Sequence, residues 1–217
     1  VVPLYLKGID PIISGAVFIT LLSVIIIAMV YGFDRRCFAA TAGVLSGIMV
    51  ALFFGAVFTH LFKIHGAVMS MSESLLYCGY GNLNLTSIFT ASIFIGSSGA
   101  MMDLAVDITS AMHEIILKKP SISTKELIIS GMNIGKAAMG TISTTLLLAY
   151  TGSCIAMLMV FMAQGTPLVN ILNYKYVAAE IVHTVAGSIG LTAVAPLTAV
   201  LGGTVLTHSG KTAESEK

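Results

Sequence analysis

Residues 12–32 read Ile-Ile-Ser-Gly-Ala-Val-Phe-Ile-Thr-Leu-Leu-Ser-Val-Ile-Ile-Ile-Ala-Met-Val-Tyr-Gly, a run without a charged side chain that stops just before Asp34-Arg35-Arg36. As a helix rising about 1.5 Å per residue it is about 30 Å long, the thickness of bilayer hydrocarbon. The same pattern repeats along the chain. Residues 38–62 form a second apolar span, interrupted only by small residues and His60. Residues 63–83, rich in Gly, Ser and Met, read as a loop with an interfacial helix. Residues 85–117 make a third helix, too long for a bilayer and therefore expected to project from one face. Further spans are expected at 127–151, 154–172 (which holds Gln164, Pro167 and Asn170) and 178–206, before a polar tail at 211–217. Ser123 or Thr124 is placed to cap the fourth span. The expected architecture is all-α: a polytopic transmembrane bundle of about six spans in a single domain, 1–217.

Composition agrees. Hydrophobic residues are 56% of the chain and charged ones 10%, with a mean hydropathy of +0.95. Soluble domains carry about a quarter charged residues, so this surface is built for lipid, and the lipid bilayer is the first expected partner. No basic run with interleaved aromatics occurs, which sets nucleic-acid binding aside. The three cysteines, Cys37, Cys78 and Cys154, are scattered and form no C-x-x-C, so neither a disulfide framework nor a zinc site is implied. His60, His65, Glu73 and Cys78 lie near one another in sequence, but their spacing fits no closed metal site. No cofactor is expected. The chain opens Val1-Val2-Pro3, without an initiator Met, and residues 1–6 read as the end of a helix.

Basic residues orient membrane proteins. With six spans, Arg35, Arg36, Lys118, Lys119, Lys125 and Lys175 share the face expected to be cytoplasmic in a bacterial inner membrane. Lys7, Lys63, Lys211 and Lys217 share the other. If 154–172 is re-entrant, the tail returns to the cytoplasmic face. Small residues recur at four-residue spacing (Gly43/Gly47, Ser92/Gly96/Ala100, Gly131/Gly135, Ala186/Gly190), a pattern that lets helices approach closely inside one bundle or at a dimer seam.

Ionisable groups within spans are costly and mark function. Asp103 and Asp107, four residues apart, lie on one face of the third helix. With the membrane surface near His113, they are about 15 Å and 9 Å deep. At that spacing in a low dielectric one carboxyl is expected to hold a proton, which is what a coupled transporter needs. Lys136, at similar depth on the next helix, is the expected partner of Asp107, either in a proton pathway or in a static ion pair locking two helices. Thr141, Thr144 and Thr145 follow on the same helix as candidate polar lining. Glu114, Glu180 and His183 are secondary candidates, the last two read as interfacial. Gly96-Ser97-Ser98-Gly99 with His183 also fits the bare needs of an intramembrane serine hydrolase, as a minor alternative.

The runs Ile95–Asp103 (Ile-Gly-Ser-Ser-Gly-Ala-Met-Met-Asp), Ser130-Gly131-Met132-Asn133-Ile134-Gly135-Lys136, Met139-Gly140-Thr141, Thr145-Leu146-Leu147-Leu148-Ala149-Tyr150, Ala179-Glu180-Ile181-Val182 and Gly187-Ser188-Ile189-Gly190-Leu191 resemble the YibE/F-like family of bacterial multi-pass membrane proteins. The resemblance covers nearly the whole chain and implies further N-terminal helices. It departs at Ala137, where the family tends to be acidic, at Thr144, where it tends to have Asn, and at His183, where it tends to have Arg. A shorter stretch, Asp107 to Glu114, is similar to the Asp-x6-Glu of SecD/SecF and RND permease helices, in which the Asp lies on a proton-coupled helix. These readings lead to an ion-coupled, proton-linked transporter or exporter, with no enzyme activity expected. The alternative is a non-transporting subunit that assembles as a homo- or hetero-oligomer with a paralogous membrane partner.

Overall fold

The computed structural model describes residues 2–69 and 72–214. Its helices are α1 (Val2–Leu6), α2 (Pro11–Tyr31), α3 (Arg35–Leu61), a 3₁₀ turn at Gly66–Val68, α4 (Ser72–Tyr77), α5 (Leu85–Lys118), α6 (Thr124–Ala163), α7 (Leu168–Asn173) and α8 (Lys175–Glu214). The helix starts are written locally in the sequence. Asp10 accepts the Ile12 N–H at 2.9 Å, with Pro11 in the first turn of α2. Asp34 caps α3, Asn84 caps α5, and Ser123 with Glu126 closes a capping box on α6. Gly32, at φ 70°, ends α2 in a conformation that other residues rarely adopt.

Among the described residues five helices, not six, are long and apolar enough to cross a bilayer: α2, α3, α5, α6 and α8. The expected break between 151 and 154 is absent, and α6 runs through it to Ala163. The Thr151 hydroxyl donates to the Leu147 carbonyl at 2.8 Å and Ser153 to Tyr150 at 2.7 Å, so the polar residues satisfy themselves within the helix. The chain turns instead at Gly165, φ 69°, ahead of Pro167. Gln164 and Pro167 therefore lie in that turn, and Asn170 in the short α7. One span fewer also moves Lys175. It shares a cavity wall with Lys63 and His65 at the end of the bundle opposite Arg35, Arg36, Lys118 and Lys119, a correction to the six-span grouping. α8 then carries position 211 back to the arginine end; Lys217 lies outside the described residues.

The core forms where α3, α5 and α8 meet, around Phe94, Met101, Leu104, Ile108, Met112, Leu191 and Val194. α2 rests on α5 and α3, and α6 on α8 and α5. The small-residue faces are used inside this bundle. A Cβ on Gly47 would collide with Val194, one on Gly43 with Thr198, and one on Gly190 would lie 2.6 Å from Ala51 Cβ. Without them α3 and α8 would stand further apart.

Candidate functional site

Asp103 lies near the middle of α5, about 27 Å of helix from Leu85 and about 22 Å from Lys118. It shares a face with Gly96, Gly99, Asp107 and Glu114, all exposed, while Met102, Leu104 and Ile108 turn inward. One side of this face is held by α2, where Tyr31 Oη sits 2.6 Å from both the Val106 carbonyl and Ser110 Oγ. The other side is held by α6. Among the described residues, nothing beyond its own stretch of helix lies within 4 Å of where a Cβ on Gly99 would be. Among the described residues the ion pairs are Arg36–Asp34, Lys119–Glu126 and His183–Glu180, so Asp103, Asp107 and Lys136 take part in none.

The expected Asp107–Lys136 pair is therefore not made, and helix geometry explains why. α5 and α6 are antiparallel and meet at Ile108 and Gly135, where an added Cβ would be 3.0 Å from Ile108 Cδ1. Asp107 precedes its contact residue and Lys136 follows its own. Each is rotated about 100° away, to opposite sides of the plane through the two helix axes. Equal depth had suggested the pair; the handedness of two antiparallel helices separates it. Thr141 and Thr145, six and ten residues beyond Gly135, turn to the same side as the carboxylates. In register (112 with 131, 108 with 135), position 103 is level with 140, which brings Thr141 to the height of Asp103. Thr144 and Thr145 donate to the carbonyls of Gly140 and Thr141, at 2.8 Å and 3.1 Å.

The secondary candidates Glu180 and His183 come together in the first turns of α8. α6 reaches past the first turns of α8 and covers His183, whose side chain keeps only 14% of its surface. Its Nε2 lies 3.1 Å from the Ser92 carbonyl oxygen of α5, and its Nδ1 3.6 Å from Glu180 Oε2. The Tyr150 ring of α6 packs on the imidazole with centroids 4.8 Å apart. Tyr150, Ser92 and Cys154 were not candidates in the sequence. The signal for Tyr150 was Gly96, where a Cβ would lie 3.1 Å from the Tyr150 hydroxyl and 3.4 Å from His183 Nε2. The junction borders a cavity of about 310 Å³. The two serines of the Gly96–Gly99 run bond back into their own helix, Ser97 to Ile93 and Ser98 to Ile95. Neither hydroxyl is bonded to His183, so the hydrolase arrangement is not assembled. Among the described residues no three His, Cys, Asp or Glu side chains gather as metal ligands.

Comparison with known proteins rests on the family. No curated protein and no solved structure matches the chain, so the similarity of Asp107–Glu114 to SecD/SecF and RND permease helices stays with those residues alone. A family model described as YibE/F-like protein matches residues 1–208. With spans, polar faces and motif runs all inside that match, the chain belongs to the YibE/F-like family of membrane proteins.

Proposed function

We propose that this protein is a proton-linked transporter or exporter of the bacterial cytoplasmic membrane, with Asp103 and Asp107 as its proton-carrying groups. The observation that carries the reading is their placement: two carboxyls one turn apart near the middle of a membrane-spanning helix, on a face where no cation among the described residues pairs with them. Ionised carboxylates facing hydrocarbon are expensive, so the face takes up protons or gathers water and a neighbour. Thr141 supplies a hydroxyl on the same side. In this reading the end with Arg35, Arg36, Lys118, Lys119 and Lys125 is cytoplasmic, and Lys63 and Lys175 face outward. The test is proton flux into proteoliposomes under an imposed pH gradient, wild type against Asp107→Asn. The variant is expected to lose flux while keeping its circular dichroism and gel-filtration profile. Undiminished flux overturns the reading.

A second reading, a non-transporting subunit of a larger assembly, is favoured by α6. That helix leaves Asn133, Lys136, Gly140 and Thr144 exposed at membrane depth, a poor face for lipid and a suitable one for another helix. Cysteine cross-linking between copies through Gly140→Cys, with flux absent, would favour it.

A further inference from the structure

The geometry points to a binding site for a small organic ammonium ion at the junction of α5, α6 and α8, where the ligand competes with a proton on His183. The starting point is the tautomer. A backbone carbonyl only accepts hydrogen bonds, so the nitrogen 3.1 Å from the Ser92 oxygen, His183 Nε2, carries the hydrogen. In the neutral ring Nδ1 is then a bare lone pair, and it faces Glu180 Oε2 at 3.6 Å. An ionised Glu180 is also an acceptor. Two acceptors confront each other across a gap that calls for a donor.

Two kinds of donor fill it. A proton on Nδ1 makes the imidazolium–carboxylate pair. A ligand ammonium group gives one N–H to Nδ1 and another to Glu180, whose charge it balances. The two cannot coexist, because protonated Nδ1 no longer accepts and already neutralises Glu180. Uptake of the ligand therefore releases the proton from His183 to water, and uptake of the proton releases the ligand.

The surroundings fit an organic cation. Glu180 and His183 line the cavity of about 310 Å³ together with Phe89, Met157 and Tyr176, at the small end of ligand pockets. The Phe89 ring, which lines the cavity, stands 6.3 Å from the imidazole and offers a face that attracts cations. On a neighbouring cavity that Glu180 also lines, the Tyr150 hydroxyl is buried and has no hydrogen-bond partner among the described residues. A metal ion is the poorer fit, since the described residues bring no third His, Cys, Asp or Glu ligand to the pair. The titratable side chains facing His183 are Glu180 and Tyr176 from α8 and Tyr150 and Cys154 from α6; α5 presents the Ser92 carbonyl and Phe89, and the segment after α3 presents Val68 and Met69. Lys63, His65 and Lys175 line a neighbouring cavity. The site is separate from the carboxylates of α5, so ligand binding here does not depend on whether protons pass Asp107.

The experiment is calorimetric titration of the purified chain in nanodiscs with benzylammonium chloride, with benzyl alcohol as the uncharged control, from about pH 5 to 8. Benzylammonium is expected to bind, and to weaken about tenfold per pH unit below the His183 pKa, the mark of one competing proton. Glu180→Gln is expected to abolish binding at every pH. His183→Gln, which still donates to Ser92 and accepts from the ligand, is expected to bind with the pH dependence lost. Because either variant could misfold, ¹⁵N-histidine spectra of the wild type give an independent reading: neutral His183 is expected as the Nε2–H tautomer, with its titration shifted down by benzylammonium. Equal binding of benzyl alcohol, unaltered binding by Glu180→Gln, an Nδ1–H tautomer, or no heat with benzylammonium each overturns the proposal.

Discussion

Replacing Gly47 by Ala tests a close contact between α3 and α8. The new methyl collides with Val194 of α8 and lies 3.4 Å from the Gly190 carbonyl oxygen, so α3 and α8 must separate or Val194 must change rotamer. Overpacking of this kind costs about 1–3 kcal/mol. Gly→Ala within a helix also gains about 1 kcal/mol of propensity, which blurs the single measurement. Gly140→Ala is the control. It has the same chemistry and lies within a long helix, but among the described residues nothing beyond its own stretch of helix comes within 4 Å of its added Cβ. The propensity gain cancels between the two, leaving a difference of about 1–3 kcal/mol against Gly47→Ala, or about 5- to 150-fold in the folding equilibrium. The chain has no tryptophan, so the readout is circular dichroism during titration with sodium dodecyl sulfate in mixed micelles. Val194→Ala in the Gly47→Ala background should recover most of the loss, because it removes the methyl that collides. Identical midpoints for the two alanine variants, or no rescue, would refute the α3–α8 contact. Destabilisation by Gly140→Ala in a membrane, but not in detergent, would show that another helix covers α6.

Topology separates five spans from six: with the native cysteines removed, an impermeant thiol reagent should label Lys175→Cys and Lys63→Cys from the same side, and Ser121→Cys only after permeabilisation. Labelling of positions 175 and 121 from one side would restore the sixth span. At the arginine end of the bundle, the hydrogen bond from Arg36 and that from the Arg35 N–H hold the Asp34 carboxyl below the usual carboxylate range. A lowered folded-state pKa gives stability that is complete above the unfolded value and lost as the pH falls through the folded one. Asp34→Asn should therefore flatten the acid limb of a thermal-stability profile below about pH 4, while changing neutral stability by only about 0–1 kcal/mol, because the pair is exposed; an unaltered acid limb would count against the pair. Ser123→Ala removes half of the capping box and should cost about 0.5–2 kcal/mol. Equal stability of that variant in the same titration would show that the α6 start is held by packing alone.

The membrane class, the helices and most of their starts follow from residues acting within a few positions of one another. Twenty uncharged apolar residues cross a bilayer wherever they occur, and Asp10, Asp34, Asn84 and Ser123 cap whatever follows them. The shared face of Asp103 and Asp107 is equally local, since 3.6 residues per turn settles it. Local reading failed at 151–154, where Gly and hydroxyl residues resemble a loop but are absorbed by back-bonding in a continuous helix. That single difference moved Lys175 to the other end and carried α6 over His183. The remaining decisions belong to packing. Whether Asp107 meets Lys136 depends on the direction in which two antiparallel helices turn from their contact at Ile108 and Gly135, which sequence separation and depth do not encode. Whether Glu180, His183 and Tyr150 form one cluster depends on α5, α6 and α8 meeting near Gly96, and only the folded bundle brings residues from positions 92, 150 and 183 to one junction.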